Sequence, residues 1–118
     1  MKCIDDNVVA SKSKEFAIRC VKLYTFLKDQ KQEYVLSKQI LRSGTSIGAN
    51  IKEAMRGQSQ PDFRSKMNIA LKEASETEYW IEILEATDYL DPKQAKSIKD
   101  DYVELIKLLT SIVKNSNE

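Results

Sequence analysis

The sequence predicts an all-α protein, an antiparallel up-down-up-down four-helix bundle. Three observations carry this: apolar residues recur at three- and four-residue spacing in four separate stretches, only three Gly and two Pro occur in 118 residues, and short polar turns separate the stretches. Almost a third of the residues are charged, and the length suits one domain with its own core over residues 1–118. The first ten or so residues carry no such pattern and are expected to be flexible.

Phe16, Cys20, Leu23 and Leu27, flanked by Ala17 and Tyr24, define a first helix from about Ser13 to Asp29, ended by the polar run Lys28 to Glu33. A second helix is expected from about Tyr34 to Arg56. Its core stripe is Leu36, Ile40, Ile47, Ile51 and Ala54, and Gly57 is placed to close it in a left-handed conformation. Ser59, three residues before Asp62 and followed by Pro61, reads as the start of a third helix with the stripe Phe63, Met67, Ala70, Ala74 and Ile81. Asp91-Pro92 repeats the signal for a fourth, with Ile98, Tyr102, Leu105, Leu109 and Ile112 on one face.

The second helix is odd in composition. Gly44, Gly48, Thr45, Ser43 and Ser46 are poor helix formers, each costing up to about 1 kcal/mol relative to Ala, so another requirement selects them. Placed at about 100° per residue, its side chains separate into sectors. Gly44 and Gly48 beside the core stripe suit close approach of another backbone. On the opposite flank Gln39, Ser43, Ser46, Asn50 and Glu53 form a polar ladder, whose hydroxyls and amides need partners on neighbouring helices or on another subunit. Lys38, Arg42, Lys52 and Arg56 point outward.

Between Lys38 and Lys66, with Arg64 included, six basic residues face only Glu53 and Asp62, a concentration of positive charge in a chain whose net charge is +1. This is the candidate anion-facing surface. On the third helix Ile69, Trp80 and Ile83 lie about 100° or more from the core stripe; either a second subunit covers them or a wide helix touches two bundle neighbours. The many glutamates of that helix, Glu73, Glu76, Glu78, Glu82 and Glu85, read as a solvated face paired with lysines one turn away.

Enzymatic chemistry is not expected. There is no histidine, so an imidazole base or a Glu-x-x-His metal site is excluded, and neither a phosphate-cradling glycine loop nor a Cys-x-x-Cys pair occurs. No metal or cofactor is expected. Cys3 and Cys20 are not expected to pair; that, with no apolar run of membrane-spanning length and no signal-peptide core at the N-terminus, points to the cytoplasm.

Gln39 to Ala54, with its Arg-Ser-x-x-Ser-Ile-x-x-Asn-Ile-x-Glu core from Arg42 to Glu53, and Asp62 to Ile81, with Lys72 to Trp80 as a second signature, closely resemble the bacterial four-helix-bundle family of 23S rRNA intervening-sequence proteins, also labelled ribosomal-protein-like. The resemblance spans nearly the whole chain. It implies a homo-oligomer, a pentameric ring, and kinship with the accessory protein of diversity-generating retroelements, a basic bundle that binds nucleic acid and a reverse transcriptase. Arg42, Asn50 and Glu53 fall on family motif positions. The function expected is therefore a non-enzymatic bundle that associates with rRNA or another nucleic acid through its basic helix face. The alternative is a scaffold for a nucleic-acid-processing protein.

Overall fold

The computed structural model describes residues 4–116, which form four helices: α1 (Ile4–Lys31), α2 (Leu36–Met55), α3 (Gln60–Ala86) and α4 (Pro92–Ser116). Cys3 lies outside the described residues. Each helix packs on its neighbours in the order α1, α2, α3, α4, and α4 closes back on α1 without diagonal contacts among the described residues. This is the antiparallel bundle expected of long helices joined by short turns. It measures 44 × 20 × 18 Å.

The predicted stripes form the core. Phe16, Cys20, Leu27, Ile40, Ile47, Ile51, Met67, Ala70, Ala74, Ile81, Ile98, Tyr102, Leu105 and Leu109 are all buried. Helix α1 begins at Ile4 rather than near Ser13 and places Val9 in that core. Burial pushes the Cys20 thiol up to about 12, which keeps it protonated and unreactive at neutral pH.

Local chemistry fixes the helix ends. The Ser59 hydroxyl accepts from the Asp62 N–H at 3.2 Å, and Pro61 lies in the first turn of α3. Asp91 Oδ1 accepts from the Gln94 N–H at 2.7 Å while the Gln94 side chain accepts from the Asp91 N–H at 3.0 Å, a reciprocal cap on α4. Helix α2 is capped from further away. The nearly buried Glu33 carboxylate accepts from the N–H groups of Val35, Leu36 and Ser37 at 3.2, 2.9 and 2.7 Å, leaving the first turn of α2 with satisfied donors and a favourable negative charge.

Gly57 does not take the left-handed conformation expected of it; no glycine does, and positive φ falls on Gln32 (49°) and Asp88 (66°) instead. The space beside Gly57 is tight. A Cβ on Gly57 would lie 2.5 Å from Asp62 Oδ2 and 3.1 Å from the Ala54 carbonyl. Gly44 is held to glycine by packing, since a Cβ would collide with the Cys20 sulfur and lie 2.8 Å from its Cβ. Close approach of α1 and α2 thus accounts for one of the poor helix formers.

Candidate nucleic-acid interface

The polar ladder of α2 is satisfied inside the chain. Ser43, fully buried, lies 2.7 Å from the Thr77 hydroxyl, which itself donates to the Glu73 carbonyl at 2.8 Å, so Ser43 is the donor in the first bond. Ser46 donates to the Arg42 carbonyl at 2.7 Å and Asn50 to the Ser46 carbonyl at 2.8 Å. Glu53 pairs with Lys66 at 3.0 Å. These groups therefore call for no second subunit to complete their hydrogen bonds.

The six candidate cations divide. Arg42 leans across the α2–α3 seam, where its guanidinium meets the Glu76 carboxylate and lies 3.5 Å from Glu73 Oε1, an oxygen otherwise shielded from water. Glu76 also accepts from the Trp80 indole N–H at 3.1 Å. Two carboxylates around one guanidinium leave this part of the seam without excess positive charge. The α3 glutamates nearest the core thus pair across helices, not with lysines on their own helix as the sequence suggested. Lys66 is also committed: its hydrogen bond to Glu53, chiefly, holds its pKa above the usual lysine value. Arg64 donates to the Ser116 carbonyl in the last turn of α4 at 3.2 Å.

Lys38, Lys52 and Arg56 differ from these three. Each is exposed and makes no ion pair or side-chain hydrogen bond among the described residues. Lys52 and Arg56 stand on the ridge between two depressions. One, of about 800 Å³ at the α2–α3 turn, also exposes Glu53, Asp62 and Lys66. The other, of about 580 Å³ between α1 and α2, brings in Lys14, which the helix-by-helix reading of charge missed because it belongs to α1. A charge comparison between adjacent helices at matched height would have found it.

The apolar sector of α3 is only partly open. Trp80 packs against the core with its ring centroid 5.4 Å from that of Tyr79, and Ile83 is half-buried. Ile69 and Tyr79 remain exposed, at 37 % and 56 %.

A family model described as 23S rRNA-intervening sequence protein matches residues 5–111. The chain belongs to this family. A crystal structure of a protein of unknown function from the S23 ribosomal protein family of Bacteroides thetaiotaomicron superposes with a TM-score of 0.92 at 59 % identity, covering 94 % of this chain and 99 % of that one. No curated protein matches. The family match takes in all four helices, including the Arg42 to Glu53 signature, whose side chains here are spent on the α2–α3 seam and on the backbone of α2. No helix among the described residues is long and apolar enough to cross a membrane.

Proposed function

We propose that this family member is a non-enzymatic, homo-oligomeric bundle that associates with rRNA or other nucleic acid through the outward face of α2. The observation that carries the reading is the set of exposed cations, Lys38, Lys52 and Arg56, that have no carboxylate partner among the described residues and lie on one face of a single helix. Such charges gain most from phosphate, because binding releases condensed counterions and breaks no ion pair among the described residues. The family description, which names an rRNA element, supports the same partner class. Repetition around a homopentameric ring would multiply weak contacts through effective concentration, so a subunit of net charge +1 still binds usefully.

The test is fluorescence anisotropy with structured rRNA fragments and duplex DNA across a salt series, using wild type and a Lys38/Lys52/Arg56→Glu variant. Binding that weakens steeply with salt and disappears in the variant supports the reading. Absence of binding at low salt, or indifference to the charge reversal, overturns it. Mass measurement in solution tests the ring, and a monomer would contradict it. A second reading, a cytoplasmic scaffold that docks a nucleic-acid-processing protein, is favoured by the exposed Ile18, Val21 and Tyr79.

A further inference from the structure

The groove between the N-terminal half of α1 and the C-terminal half of α2 differs from the rest of the basic surface in what it lacks. Its charged lining residues are Lys14, Lys52 and Arg56; among the described residues neither a carboxylate nor an aromatic ring lines it. Its neighbour at the α2–α3 turn shares Lys52 and Arg56 but sets Glu53 and Asp62 beside them. Among the described residues, an anion approaching the ridge therefore meets carboxylates on the α3 side and none on the α1 side. Lys14 is exposed and, like the other two cations, makes no ion pair among the described residues.

The floor is built from small groups. A Cβ on Gly48 would lie 3.2 Å from Ser13 Oγ and 3.6 Å from the Ser13 carbonyl, so α1 and α2 approach closely there, and Ala17 and Ala49 add little bulk. The Ser13 and Thr45 hydroxyls donate to carbonyls of their own helices, at 2.8 and 2.7 Å. Charge and shape are what the groove offers a ligand.

Resting on the nucleic-acid reading above, we infer that this groove seats one sugar–phosphate strand of a duplex, with Lys14 on one wall and Lys52 and Arg56 on the other pairing with phosphates. Lys52 and Arg56 stand one turn apart, about 6 Å along the helix, within reach of neighbouring phosphates on one strand. Binders of single strands rely on aromatic platforms for the bases, and none lines this groove. Among the described lining residues no Asn, Gln, Asp or Glu is present to read adenine or cytosine, and with Lys14, Lys52 and Arg56 assigned to phosphates, backbone contacts position the duplex and its sequence goes unread. Lys14 thereby joins the binding surface.

The experiment measures anisotropy of a labelled RNA duplex, a DNA duplex of the same sequence, a scrambled duplex and the single strand between about 50 and 200 mM salt. Four proteins are compared: wild type, Lys14→Ala, Ala49→Leu and Lys52/Arg56→Ala, each checked for wild-type helicity and melting. Lys14→Ala lowers the slope of log affinity against log salt by about 0.9 on duplex. Ala49→Leu, at an exposed position, keeps every charge but fills the floor and weakens duplex binding severalfold. Original and scrambled duplexes bind alike, and the single strand binds less tightly. Wild-type behaviour of both Lys14→Ala and Ala49→Leu, alongside a reduced slope for Lys52/Arg56→Ala, removes the groove but leaves the nucleic-acid reading standing. Wild-type behaviour of all three removes both. A single strand that binds more tightly than duplex overturns the duplex assignment.

Discussion

Arg42 and Arg56 both lie on the outward side of α2, yet Arg42 is held by Glu73 and Glu76 of α3 while Arg56 makes no ion pair among the described residues. The difference originates on the neighbouring helices. Opposite Arg42, α3 presents two carboxylates that it pairs with; Arg56 lines a groove whose α1 wall carries Lys14 and a floor of small residues, and makes no pair with Glu53 or Asp62 on its other side. A stripe of cations on one helix becomes a basic surface only where the adjoining helices leave it uncompensated. The signature from Arg42 to Glu53 thus carries structural groups on the α3 side, while Lys52 within it and Arg56 beyond it face the α1–α2 groove.

That contrast can be broken by substitution. The largest effect is expected from Lys52/Arg56→Glu: reversing two charges next to Lys14 lowers duplex affinity by about two orders of magnitude at low salt, measured by anisotropy, with melting unchanged. Next comes Gly44→Ala, where the new Cβ collides with Cys20. Stability falls by about 1–3 kcal/mol in urea denaturation, despite the better helix propensity of Ala. Ser43→Ala removes the buried bond to Thr77 and costs about 1 kcal/mol in the same measurement, because Thr77 keeps its bond to the Glu73 carbonyl. The smallest effect belongs to Arg42→Ala. Its guanidinium is half-exposed, so stability drops by about 0.5–1 kcal/mol, and duplex affinity changes less than about twofold, since this cation is already compensated.

The sequence made some of these features legible and concealed others for physical reasons. The starts of α3 and α4 could be read because Ser59 and Asp91 act on N–H groups within one turn, a local signal. The cap of α2 could not: Glu33 acts from outside the helix, after a backbone reversal at Gln32 with φ of 49°, and glutamate is not among the residues that ordinarily mark a helix start. Gly57 occupies the position of a left-handed cap but has negative φ, and its closest neighbour is the Asp62 side chain, which comes from the following helix. Wheel positions gave the core and the outward stripe, since both depend on one helix at a time. The partners of Arg42, Arg64 and Lys66, and the association of Lys14 with Lys52 and Arg56, depend on the vertical register between helices, which periodicity leaves open.

The salt dependence of duplex binding by Arg56→Ala and Arg42→Ala, measured side by side, tests most directly whether compensation by a neighbouring helix decides which cations bind. The log–log slope falls by about 0.9 for Arg56→Ala and stays at the wild-type value for Arg42→Ala. Equal loss in both variants, or a loss confined to Arg42→Ala, would contradict the account.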